Sequence, residues 1–202
     1  GVPIAYTPFF KHPDPTVHRK SGFLSPKFGS TTELGATFQI PYYWALGPDR
    51  DFTFEPIFTS DESVVLTAQY RKALDSGEYA FSTSGTHVDK RNDQNLRLSD
   101  KDFRGHISGT GKLKISKYWY GGFNLNRSTD DTYLKRYRIS DADVLVSDAF
   151  LEGFRDRSYI STSIYSFQGL AANDRSGTTP IVAPLIKYSW IDGPYNGVTY
   201  QI

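Results

Sequence analysis

The chain has 202 residues, with 23 Lys and Arg against 22 Asp and Glu, 15% aromatic residues, no cysteine and no methionine. A net charge of +1 carries no basic face of the kind that nucleic-acid binding requires, and the missing cysteines exclude disulfides and thiolate sites within these residues. Mean hydropathy is −0.47 and no run of about 18 apolar residues occurs, which excludes a transmembrane helix but not a β-barrel, whose apolar residues hide at every second position.

Residues 1–10 contain Pro3 and Pro8 and read as a short edge strand. Residues 11–20 hold Pro13 and Pro15 among Lys11, His12, His18, Arg19 and Lys20, the composition of an ordered linker at a domain boundary. Clustered bases suit anionic headgroups, which makes Lys11, His18, Arg19 and Lys20 candidates for lipid-phosphate contacts. A solvated linker is the plainer account of the same charges.

Next comes the strongest pattern in the chain. Leu34, Ala36, Phe38, Ile40, Tyr42, Trp44 and Leu46 fall on one parity, and Gly35, Thr37, Gln39, Pro41, Tyr43 and Ala45 on the other. Side chains in a strand alternate between two faces, so this reads as one strand with a continuous apolar face, long enough to cross a bilayer. Its apolar row ends in Tyr42 and Trp44, residue types that favour a membrane–water interface. Pro41 sits inside it, although proline has no donor for a sheet ladder.

Similar runs follow. Phe52, Phe54 and Phe58 oppose Asp51, Thr53 and Glu55; Val64, Leu66, Ala68 and Tyr70 oppose Ser63, Thr67, Gln69 and Arg71. Tyr79 and Phe81, then Phe103, Ile107, Leu113 and Ile115, then Trp119, Phe123 and Leu125 carry the next apolar rows. Residues 144–151, 159–167 and 182–190 supply three more candidates, and 131–138 allows one short helical turn. Connections at 47–50, 74–77, 111–117, 154–157 and 191–197 are short, whereas those at 89–101, 128–143 and 169–179 are long and polar. The connections at 30–33 and 60–62 break this rule. Long loops at one end and tight turns at the other are the habit of an outer-membrane barrel, so the expected fold is all-β: about ten meandering antiparallel transmembrane strands. With Gly1 at the start and a strand-like end at Ile202, the chain is expected to be an internal segment of a longer protein.

The run Arg19-Lys20-Ser21-Gly22-Phe23-Leu24-Ser25-Pro26, followed by Ile40-Pro41-Tyr42-Tyr43-Trp44-Ala45-Leu46-Gly47-Pro48 and by Asp51 and Thr53, strongly resembles the LptD (OstA/Imp) family of lipopolysaccharide-assembly proteins. Tyr6-Thr7-Pro8-Phe9-Phe10 looks like the end of that family's periplasmic β-jellyroll, and Asp130-Asp131-Thr132-Tyr133-Leu134 resembles one of its barrel loops. The match is sharp over residues 3–53 and rests mostly on alternation beyond them.

The resemblance implies a division into residues 1–15, the end of the jellyroll and a linker, and residues 16–202, the N-terminal part of a larger barrel in the Gram-negative outer membrane. It implies transport of lipopolysaccharide to the outer leaflet, a plug formed by the lipoprotein LptE, and a periplasmic bridge of LptA type joined through the jellyroll. The N-terminal residues are then periplasmic. It implies no enzymatic activity and no cofactor. Prolines matching Pro26 and Pro41 weaken a lateral seam at the first barrel strand in that family.

Residue chemistry agrees. Each proline removes one backbone donor from a sheet to which lipid offers no water, and in a hairpin turning near Glu33 the two sit roughly opposite each other. Prolines also mark ordinary edges and bulges, which is the competing account. The four histidines show no metal-ligand spacing, no hydrolase or phosphate-binding motif occurs, and the polar stretch 92–102 lacks the carboxylate spacing of an EF-hand. Two other readings stay open: a soluble carbohydrate-binding β-sandwich using exposed aromatics, and a barrel hydrolase, which needs a Ser or Thr/His/acid set not found here.

Overall fold

The computed structural model describes residues 19–91, 97–171 and 181–190. The expected edge strand and linker, with Lys11 and His18, lie outside the described residues.

The strands are β1 (Gly22–Phe23), β2 (Lys27–Thr31), β3 (Gly35–Gln39), β4 (Tyr42–Ala45), β5 (Arg50–Thr59), β6 (Val65–Leu74), β7 (Gly77–Arg91), β8 (Arg97–Lys114) and β9 (Trp119–Ser128). A short helix α1 (Tyr133–Arg136) precedes β10 (Val144–Arg155), β11 (Ser158–Gly169) and β12 (Ile181–Trp190). All strands join one antiparallel sheet, in which β1 and β2 share the first rank, β3 and β4 the second, and each later strand pairs with its sequence neighbours. The sheet has the ten ranks the alternation calls for.

Register sorts the side chains. Phe52, Tyr70, Phe81 and Gly109 lie in one cross-strand row, and Phe54, Ala68, Thr83 and Ile107 in the next. On this face Phe38 packs between Phe28 at 5.0 Å and Phe58 at 6.2 Å, and Phe81 lies 5.6 Å from Phe123. Leu66 remains 50% exposed and Phe28 78%, so among the described residues nothing is packed over this aromatic and aliphatic face. A β-sandwich needs a second sheet there; among the described residues the sheet is single. The opposite face carries Thr53 and Gln69, Glu55 and Thr67, and the row of Ser84 and His106.

On the polar face a buried cluster forms at the long-loop end. Tyr133, Leu134 and Tyr137, from the segment 129–143, pack with Leu34, Val65, Leu145 and Leu170. In a flat sheet the ranks carrying Leu34 and Leu170 would stand roughly 30–35 Å apart at about 4.8 Å per strand, so their common cluster requires a sheet wrapped around the loop. Tyr133, fully buried, shares a 2.6 Å hydrogen bond with Ser84 Oγ, which also lies 2.6 Å from His106 Nδ1. The Arg104 guanidinium donates to Asp130 at 2.8 and 2.5 Å, and Arg136 pairs with Glu62. Burial alone would raise the Asp130 pKa, but hydrogen bonds from Arg104 and Thr132 outweigh it and hold the carboxyl at about 2. The stabilisation from this depressed pKa is therefore present above the usual carboxylate range and is lost as pH falls toward 2.

Three expectations are corrected. The strand expected to run unbroken through residues 34–46 divides into β3 and β4, with Ile40 and Pro41 between them. Leu34 does not continue the apolar row: Gly35 takes a left-handed φ of +67°, which turns Leu34 inward to the cluster, and a Cβ on Gly35 would stand 2.0 Å from Ser60 Oγ. The connection expected over 89–101 is partly strand: Asp89 pairs with Lys101 and Arg91 with Arg97, while residues 92–96 lie outside the described residues. A ladder needs backbone groups but no apolar face, so a strand can run on past the end of its alternation. The helical turn expected within 131–138 is α1.

Arginine at Phe54, on the open face, is expected to destabilise the full-length barrel by about 2–4 kcal/mol in refolding titrations into lipid, whereas arginine at Thr53 beside it costs little. Asp130→Asn is expected to release the loop. Trypsin cleavage after Lys135, Arg136 or Arg138 in the folded protein should then accelerate, and unchanged cleavage would refute the anchoring role of the Arg104–Asp130 pair.

Candidate functional site: the broken first hairpin

The first two ranks are each interrupted, and each interruption contains a proline. β1 ends at Phe23 and β2 starts at Lys27, with Pro26 between them; β3 ends at Gln39 and β4 starts at Tyr42, with Pro41 between them. Below the gap Gly22 pairs with Tyr43 and Phe23 with Tyr42, and Leu24 N–H donates to the Pro41 carbonyl at 2.9 Å. Above it Lys27 pairs with Gln39. Ser25 and Pro26 therefore face Ile40 alone, a one-residue bulge. Pro26 and Pro41 share one height, offset by a single residue.

Leu24 donates to Pro41, but Pro41 has no N–H to return, so the bond that would complete this pair is missing. Towards the third rank the second is regular: Thr37 with Thr59, Gln39 with Ile57 and Tyr42 with Phe54 keep one register across the gap. The bulge thus lies on the side of the sheet's edge.

Side chains on the polar face reach over the second rank. Lys27 Nζ lies 3.0 Å from Glu55 Oε1, and Arg19 3.2 Å from Asp51. Asp51, 2% exposed, also receives Arg71 at 2.9 and 3.1 Å and the Tyr43 hydroxyl at 3.4 Å. Beside it is a hollow of about 520 Å³ lined by Arg19, Arg71, Lys112 and Asn124. On the open face Tyr42 packs edge-on against Phe23 and Trp44, each at 4.9 Å. Both Tyr42 and Trp44 are thereby placed at the short-turn end of the apolar face. Among the described residues no group of three or more His, Asp or Glu side chains is placed to hold a metal.

The family model described as "LPS transport system D" matches residues 102–202, the half in which the sequence resemblance rested on alternation. The chain belongs to the LptD family. Among curated relatives, the LPS-assembly protein LptD of Nitrosococcus oceani is 28% identical over 86% of this chain and 22% of its own length. Those of Aromatoleum aromaticum and Histophilus somni are 31% and 30% identical over 66% and 68% of the chain. The chain spans 22%, 16% and 17% of these three relatives, about a fifth of their length. The family and these relatives are named for transport and assembly, not for a catalysed reaction.

Of the residues singled out from sequence, the structure brings Pro26 and Pro41 together and places Tyr42 and Trp44 on the apolar face. Arg19 is engaged by Asp51, and Lys20 is exposed. The Asp51 hub escaped the sequence reading. Its parity marks Asp51 as polar-facing, but nothing local says that residues 19 and 71 converge on it.

Arg71→Leu strips the buried carboxylate of its two-pronged partner and is expected to cost the full-length barrel about 1–3 kcal/mol. Asp51→Asn should cost less, because both guanidinium groups are already half exposed and can turn to water. The temperature at which the folded barrel loses its SDS resistance checks the order.

Proposed function

We propose that the chain is the N-terminal part of an outer-membrane barrel that delivers lipopolysaccharide to the outer leaflet, releasing it sideways through a seam at the first rank. The observation that carries this reading is the coincidence of Pro26 and Pro41 at one height on the outermost two ranks of the described sheet. In lipid every backbone donor needs an internal partner, and a strand edge that lacks partners parts more easily than one fully bonded. One net hydrogen bond is worth about 0.5–1.5 kcal/mol, so two defects at one height shift an opening equilibrium appreciably.

The loop cluster supports sideways exit. Segment 129–143 fills the long-loop end on the polar face, so a lipid moving along that face meets Tyr133 and Leu134 before it meets an opening. We assign the short turns to the periplasm and the long loops to the cell exterior, with residues 1–15 ending a periplasmic jellyroll and residues 16–202 in the barrel. An LptE-type lipoprotein suits the polar inner face as a plug, and an LptA-type bridge suits the jellyroll upstream. Lys11, His18, Arg19 and Lys20 then stand at the junction where lipid phosphates arrive.

The test is Pro26→Ala combined with Pro41→Ala in the full-length protein. Restored donors should close the seam more often, so lipopolysaccharide should reach the surface more slowly at unchanged barrel levels, with increased sensitivity to hydrophobic antibiotics. Pro48→Ala, in a short turn away from the seam, should transport normally. Wild-type transport by the double variant would show the prolines to be tolerated bulge residues.

A further inference from the structure

The sheet contains a third proline at the same height. Pro56 lies inside β5, paired with Leu66 on one side and, by the register that joins Gln39 to Ile57 and Tyr42 to Phe54, opposite Ile40 on the other. Pro41 faces Glu55 in that register, and Pro26 faces Ile40 from the first rank. Three prolines, 15 residues apart in sequence, thus form a band across three consecutive ranks.

Parity shows which interface each proline weakens. Backbone groups along a strand point alternately to its two neighbours. Ser60 N–H donates to the Ala36 carbonyl at 3.0 Å, so even-numbered residues of the second rank face β5, and even-numbered residues of β5 face back. Pro56 therefore lacks the N–H that would reach the Ile40 carbonyl, between the second and third ranks. Odd-numbered residues of the second rank face the first, as the Leu24–Pro41 bond shows, so Pro41 lacks the donor between those two. In β2 the residues pointing inward are the odd ones, such as Lys27, which leaves Pro26 facing the free edge. No interface is weakened twice. The edge and the two interfaces behind it each lose one donor at the same level.

Both ends of the first hairpin are held. At the short-turn end Arg19 reaches Asp51; at the other end Leu34 enters the buried cluster and the Leu34 and Ala36 carbonyls accept from Asp61 and Ser60. At the level of the prolines, between the flanking pairs Gln39–Ile57 and Tyr42–Phe54, the Lys27–Glu55 pair crosses from the hairpin to β5; its lysine is 62% exposed, and exposed pairs hold weakly.

We infer that Pro56 is a third positioning residue of the seam: it detaches the first hairpin from β5 at mid-height, so that the whole hairpin, and not the edge strand alone, bows outward between two fixed ends. This rests on the proposed lateral release and specifies what moves.

The test is Pro56→Ala in the full-length protein, followed by the rate at which lipopolysaccharide reaches the surface. The variant gains a donor on a rank that Pro26 and Pro41 do not touch. Transport should slow by about two- to tenfold, the factor that one net hydrogen bond supplies, with barrel level and plug binding unchanged. The amide of residue 56 should be protected from hydrogen exchange in the resting barrel, reporting the new bond directly. Pro56→Gly restores the same donor without the stiffness of proline and should also slow transport. Wild-type transport by Pro56→Ala, beside a slowed Pro26→Ala/Pro41→Ala double variant, overturns the inference and leaves lateral release standing. Wild-type transport by both variants overturns both. Slowing in Pro56→Ala but not in Pro56→Gly would assign the effect to backbone stiffness and overturn the inference as well.

Discussion

Everything in this sheet follows from one constraint: a backbone amide inside a bilayer must find its partner within the protein. Long antiparallel strands meet it by pairing with their neighbours, and most of the ranks are strands of ten residues or more. Against that background a residue without an N–H is conspicuous. In water the lost bond is replaced by solvent; in lipid it stays lost. The first hairpin is where strands are broken outright, so that β1, β2, β3 and β4 become four fragments of two strands; elsewhere the departures are single register shifts, between Ser163 and Tyr165 and between Asp89 and Arg91.

The two faces divide the remaining work. The open face is held by aromatic contacts between neighbouring ranks, such as Phe38 with Phe58, which resist lipid exchange without directional bonds. The polar face is held partly by charges that skip ranks, Arg19 to Asp51 and Lys27 to Glu55. Such bridges tie non-neighbouring strands and so resist flattening of the sheet, a task that ladder bonds between adjacent strands do not perform. The buried cluster around Tyr133 adds the only compact apolar packing among the described residues, at the long-loop end of the sheet.

The sequence was most legible where chemistry repeats locally. Alternation located β5, β6, β9 and β11 because each must present one face to lipid and one to a polar interior. Tyr42, Trp44, Pro26 and Pro41 were visible because their residue types are unusual at their positions. Leu34 was misplaced because parity says nothing of a left-handed glycine next to it. The pairing of Asp89 with Lys101 and Arg91 with Arg97 is invisible to alternation, because a backbone ladder needs no apolar face. The Asp51 hub and the Ser84–Tyr133–His106 contacts join residues 20 to 49 positions apart, and only the register of the sheet brings them into reach. Pro56 was in plain view, but its meaning depends on knowing which way each amide points.

The hairpin of β7 and β8 has a consequence at the cell boundary. Its strands of 15 and 18 residues, at about 3.4 Å per residue and a tilt of about 40°, rise roughly 10–20 Å past a hydrocarbon layer of about 30 Å. In the proposed orientation that tower stands among the sugars of the lipids already delivered. There water can answer its backbone groups, so only the paired ranks below it stay bound by the rules of the bilayer.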